Sequence, residues 1–338
     1  MSDMLTHWAI CDDSLRLMRA DARVEPAFTE ACERQPQVVR LGACTRGGGK
    51  WMHPLLAESI RRWDDPDAHP EIDKKLAWAV GGITHQACDT VAKPYLSMHA
   101  GSEWNLTHDV LMGSPKARGR EHEVDAVEVM TCSAYCDVHV FRKVYLSGEE
   151  TPFTRLFLAD LGTAGKAFES FIGTMFQRSL LSAHTFKPPQ PHTDEAFLAW
   201  FDHLMEYVQP LYLDTSIWVK AFNNPDPALM ERYAIETKFY LDSDPVIEVA
   251  RALHQGKNVS QSTLESATAE GLNQSMYGQG LELSMRYLHN ATDLWHGRAE
   301  KLVAPSAFRT TPAGRRAAPP AFRPGHARGR WRGADSAC

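Results

Sequence analysis

The residues with the most chemical content sit on one apolar stretch, Ala77-Trp78-Ala79-Val80-Gly81-Gly82-Ile83-Thr84-His85-Gln86-Ala87-Cys88-Asp89. His85 and Asp89 are four residues apart, so on a helix they lie one turn apart on the same face. An imidazole and a carboxylate at that spacing can converge on one metal ion. The same pair also reads as a hydrogen-bonded couple or a solvated helix face. The apolar surroundings favour a partner for the acid, because a buried carboxylate is costly unless it is paired or metal-bound. Further donors flank the pair: His7, His53, His99 and the cluster Glu121-His122-Glu123-Val124-Asp125. His122 and Asp125 are three apart and can share a face, while Glu121 with Asp125 is the rival pair. On converging helices these residues form a bundle-core metal site.

Other motifs carry less. Gly47-Gly48-Gly49-Lys50 lacks full phosphate-loop spacing and a preceding strand, so it reads as a plain loop. Cys132 and Cys136 are four apart, which suits neighbours on one helix face better than a zinc pair in a loop. The seven cysteines have no framework spacing and read as reduced thiols. Trp104, Trp200, Trp218 and Trp295 read as core aromatics.

The elements that must position these groups are helices. Apolar residues recur at helical spacing over Met4 to Met18, His53 to Trp63, and Ile72 to Val91. A loop containing Pro94, Gly101, Gly113 and Pro115 should follow, then a long helix from about Glu121 to Tyr145. Phe168 to Leu181, Ala196 to Val208 and Leu229 to Leu253 also read as helical. Ser262 with Glu265 forms a capping box that should open a last long helix through Leu272, Met276, Leu288 and Leu294. No alternating strand series is present. The fold class expected is an all-α multi-helix bundle.

Several of these segments resemble the zinc-dependent phospholipase C family. Thr6-His7-Trp8-Ala9-Ile10 resembles the family's opening, and the Gly82 to Asp89 segment looks like its helix in which a glycine precedes HxxxD. Leu41-Gly42-Ala43 is similar to the lead-in to a loop that normally delivers an aspartate. Lys93-Pro94-Tyr95 stands where members carry a turn, and the Arg120 to Val129 segment where the next His and acid ligands fall. The resemblance covers about residues 5–130. It implies a bundle of the phospholipase C type that binds one to three zinc ions in a cleft and hydrolyses phosphodiester bonds. His7, His85 and Asp89 are then ligands, with His53, His99, His122 and Asp125 as further candidates. Zinc-activated water would attack phosphorus, on a phosphodiester or phospholipid-like small molecule. The family's aspartate position falls near Gly47, and no carboxylate occurs between Cys44 and Leu56. That departure implies fewer metals, and it supports an alternative in which a catalytically degenerate helical protein keeps the fold and binds few or no metals.

At 338 residues the chain is long enough to bury a sizeable core without staples. Its organisation reads as one helical domain over residues 1–303 and a basic tail over 304–338. The tail holds seven arginines and one acid and is rich in Ala, Pro and Gly, so it should be disordered. The whole chain is −6 and the tail +6, so the body carries −12. An acidic body argues against a nucleic-acid-binding core, which leaves nucleic acid or an anionic surface as partners of the tail alone. No run of eighteen apolar residues and no signal-peptide core occurs, so a cytoplasmic location is expected.

Overall fold

A computed structural model of the chain describes residues 4–44, 48–100, 106, 119–145 and 216–302. Among them the fold is all-α, with no strand. The helices expected over Phe168 to Leu181 and Ala196 to Val208, and the tail at 304–338, lie outside the described residues, as do Thr45, Arg46 and Gly47.

The organising element is α5, His69–His99. Leu76, Ala77, Trp78, Ala79, Val80, Ile83, Ala87, Cys88 and Ala92 are all buried, which leaves little of its middle polar. A helix apolar on every side must be surrounded. Helices α2 (Pro26–Arg34), α3 (Pro36–Cys44) and α4 (Gly48–Arg62) pack on it, and so do α1 (Met4–Ala20) and the final helix. The loop expected at Pro94 is not there. The helix runs through Pro94 to His99, although the proline ring removes the amide that would bond Thr90. Tertiary contacts offset that loss. Ala92, Tyr95 and Leu96 are buried, and the Tyr95 hydroxyl donates to the Tyr233 carbonyl at 2.6 Å.

The helix expected from Glu121 to Tyr145 is shorter. A single tight turn at Glu121–Glu123 precedes α6, Ala126–Val140, and Phe141–Tyr145 widens into one turn of π-helix. Asp125 is the N-cap, its side chain accepting from the Glu128 amide at 2.9 Å.

The expected helix from Leu229 to Leu253 is three short ones. After α7 (Ser216–Asn223) come α8 (Pro227–Tyr233), α9 (Glu236–Phe239) and α10 (Pro245–His254). The break before α10 follows from Asp244, whose carboxylate accepts from the Gln274 and Ser275 amides, each at 2.9 Å. The expected capping box at Ser262 is also displaced. Ser260 caps α11 (Gln261–Ala267), and Ser275 caps the long last helix α12, Met276–Trp295. Gly271, with φ 74°, turns the chain between them, a conformation that glycine adopts without steric cost.

Trp295 is half-buried and meets Phe28 and Trp63 edge-on, at 5.5 and 5.8 Å between ring centres. No disulfide joins the six described cysteines. No helix among the described residues is long and apolar enough to cross a membrane.

Candidate metal centre

Two helices deliver the site. α1 runs across α3, α5 and α6, and its first turns are anchored at several points. The Thr6 amide and hydroxyl both donate to Asp137 Oδ1 on α6, each at 2.9 Å. The Trp8 indole donates to the Arg40 carbonyl on α3 at 3.0 Å, and the Arg40 guanidinium grips both oxygens of Asp12 at 3.1 Å. These bonds hold His7, which lies between Thr6 and Trp8, against α5.

On α5 the pair at positions 85 and 89 faces His7. His7 Nε2 lies 3.4 Å from Asp89 Oδ1, and His85 Nε2 lies 3.3 Å from Asp89 Oδ2. The two imidazoles stack at 4.6 Å between ring centres, tilted by 27°. One ligand atom from each of His7, His85 and Asp89 lies within 4.8 Å of the others. Among the described residues this is the one group of His, Cys, Asp or Glu with that property.

His85 is oriented from behind. Its Nδ1 is 2.8 Å from the carbonyl oxygen of Ala43, which makes Nδ1 an N–H donor and turns Nε2 toward Asp89, to which it donates when protonated and beside which it would offer a lone pair to a metal ion. That bond depends on how closely α3 approaches α5. At the crossing Gly42 faces Gly81, and a Cβ on Gly42 would come within 2.4 Å of the Trp78 carbonyl oxygen. The Leu41-Gly42-Ala43 step therefore belongs to a helix that packs on α5 and reaches His85 through a backbone carbonyl.

The electrostatics are those of a tight, buried cluster. Burial alone would lower the His7 pKa, but the Cys88 sulfur and the Asp89 carboxylate outweigh it and hold it well above its ordinary value. His85 moves the other way, driven down by burial and by the nearby His7 despite the pull of Asp89. Burial pushes the Asp89 carboxyl up, yet His85, His7 and Lys93 together hold it well below the usual carboxylate range. The cluster therefore sets one ionised acid against two imidazoles whose pKa values are pushed in opposite directions. Lys93 adds a positive charge, its Nζ 2.6 Å from Asp89 Oδ2.

No family model matches the chain, and no curated protein or solved structure matches it significantly.

The donor chemistry fits a transition metal. Two imidazoles and a carboxylate make the three-ligand set of catalytic zinc sites, which keep a fourth position open. With metal–ligand bonds of about 2.0–2.1 Å, tetrahedral ligand atoms stand roughly 3.4 Å apart. His7 and His85 each approach one oxygen of Asp89 at 3.3–3.4 Å, on different oxygens of the carboxylate, and the three ligand atoms gather within 4.8 Å.

The other expected ligands are elsewhere. His53 is half-buried on α4, and His99 is in the last turn of α5 with its ring 4.3 Å from that of Tyr95. His122 is exposed in the turn before α6, and Asp125 caps that helix. None of the four joins the His7 group. Sequence reasoning missed the Ala43 carbonyl and Asp137, because a backbone acceptor and a contact between distant helices leave no local signature. Lys93 did leave one, standing four residues after Asp89.

Proposed function

We propose that the chain is a zinc-dependent hydrolase of the phospholipase C type, acting on phosphodiester bonds. The observation that carries the zinc assignment is the convergence of one ligand atom each from His7, His85 and Asp89 to within 4.8 Å, with His85 already oriented by Ala43. A zinc ion held there supplies Lewis acidity and the means to generate hydroxide at neutral pH. The protein's part is to present three donors from two helices, to fix the His85 tautomer, and to keep the floor of the site dry. His7 and His85 are buried, while Asp89 is partly open. The phosphodiester substrate class rests on the resemblance of the His7 and HxxxD segments to the phospholipase C family.

One observation favours the alternative of a degenerate, metal-free protein. The Lys93 ammonium already neutralises Asp89, so the four side chains make a self-sufficient ion-pair cluster. Elemental analysis decides between the two. The enzyme reading expects about one zinc per chain in the purified protein. It also expects hydrolysis of a generic phosphodiester that stops on chelation and returns with zinc. Metal-free protein that binds no added zinc would leave the alternative standing.

A further inference from the structure

We propose that Lys93 is the residue that receives the anionic oxygens of a phosphoryl ligand beside the His7–His85–Asp89 centre. The proposal rests on the zinc reading above. Exposure grades across the cluster, from 2% for the His7 side chain and 8% for His85, through 20% for Asp89, to 37% for Lys93. The open side of the site is therefore the Lys93 side, and a ligand arriving from solvent meets the ammonium before the imidazoles.

An Asp–Lys pair four apart on a helix is ordinary by itself. This one differs in what shares the acid. Asp89 Oδ2 lies 2.6 Å from Lys93 Nζ and 3.3 Å from His85 Nε2, so the ammonium stands where a cation held by His85 and Asp89 would be its neighbour. A divalent ion held on Asp89 would repel that ammonium at short range. Lysine is a point charge on a flexible four-carbon stem, so the ammonium can swing outward while its backbone stays on α5. It then flanks the entrance with one positive charge beyond the metal. Two cationic centres of that kind suit an oxyanion with several oxygens, one turned to the metal and another to the ammonium. A neutral ligand gains nothing from the second. With the centre loaded, Lys93 would thus exchange Asp89 for the oxygens of the phosphoryl ligand.

The test uses the full chain and titration calorimetry, first zinc into metal-free protein, then inorganic phosphate into the zinc-loaded form. Wild type is compared with Lys93→Met, which keeps the apolar stem, and Lys93→Arg, which keeps the charge. Lys93→Met should bind zinc about tenfold more tightly, because a competing cation is gone, and phosphate at least about tenfold more weakly. Lys93→Arg should stay within about threefold of wild type for phosphate, a rescue that a merely structural role would not give. Zinc binding in all three proteins with equal phosphate affinity would overturn the Lys93 assignment and leave the zinc site intact. Acetate bound as tightly as phosphate would overturn the phosphoryl class. Wild type that takes up no zinc would overturn the zinc reading, and this inference with it.

Discussion

Gly81 and Val39 meet where α5 crosses α3, so closely that a Cβ on Gly81 would lie 2.0 Å from the Val39 carbonyl oxygen. The same Cβ would be 2.7 Å from the Ala43 amide nitrogen and 2.9 Å from the Gly42 Cα. Backbone contact of this kind leaves no flexible side chain to give way. Gly81→Ala should therefore push the helices apart and lower stability by about 1–3 kcal/mol, the range for overpacking a dense core. Alanine's better helix propensity returns at most about 1 kcal/mol. The shift should also lengthen the Ala43–His85 hydrogen bond and weaken zinc binding by about 10–100-fold, as loss of an orienting partner does. Denaturant melts and zinc titration on the one variant check both effects. Full stability would mean that the crossing is looser than the contact distances imply.

The ligand residues give a direct contrast. His85→Ala and Asp89→Asn should each reduce zinc affinity by more than about 100-fold, beyond the effect of losing an orienting partner. His53→Ala and His122→Ala should leave zinc content unchanged, because neither side chain belongs to the His7 group. Metal analysis after dialysis measures all four. Full occupancy in the first two would end the ligand assignment, and loss in either of the second two would mean that another centre holds the metal.

How far the sequence carried these conclusions differs by element. The i, i+4 pair at His85 and Asp89 and the buried face of α5 were legible, since both are local consequences of helix geometry. His7 was legible only as one of several flanking donors, alongside His53, His99 and His122, because nothing local joins α1 to α5 and selects among them. Boundaries failed where tertiary contacts compete with local signals. Tyr95, bonded to Tyr233, carries α5 through Pro94, and Asp244, bonded to Gln274 and Ser275, ends one helix run and fixes the next. Ser262 lost the cap to Ser260 because two nearby serines offer the same local chemistry, and the turn geometry chooses between them.

Asp21 sets an acid limit on stability. Its carboxylate is buried at the end of α1 and accepts from Arg23 at 2.7 Å and from Gln261 at 2.9 Å, with His289 Nε2 at 2.8 Å. Burial pulls its pKa up, but His289, Arg23 and Gln261 outweigh that and hold the carboxyl far below the usual range. A carboxyl whose pKa is depressed on folding stabilises the fold above its unfolded value, about 3.9, and loses that contribution as pH falls toward the folded value. Wild type should exceed Asp21→Asn by about 2 kcal/mol at pH 7. The gap should stay constant down to about pH 5 and narrow steadily below pH 4. Urea melts of both proteins between pH 7 and pH 3 measure it. A gap that does not change with pH would show that Asp21 acts by shape and hydrogen bonding alone.

Asp137 gives the sharpest test of how α1 is aimed at the candidate metal centre. It is fully buried on α6, and its Oδ1 accepts both the amide and the hydroxyl of Thr6. Thr6 lies in the first turn of α1, where backbone amides have no acceptor within the helix. A carboxylate at that end also complements the helix dipole. The residue that follows is His7, so the bond fixes both where α1 begins and how far His7 stands from Asp89. Asp137→Ala should cost about 3 kcal/mol, since it strands a buried donor pair and removes a charge-assisted hydrogen bond. Thr6→Val keeps the amide bond and loses only the hydroxyl, so it should cost about 1 kcal/mol. If Asp137 positions His7, its loss should also weaken zinc binding by about 10–100-fold. His7→Ala should then remove most of that sensitivity, so that adding Asp137→Ala changes zinc affinity little further. A double-mutant cycle by zinc titration measures the coupling, with circular dichroism confirming that each variant is folded. Additive effects on zinc affinity would show that Asp137 supports the fold without aiming His7.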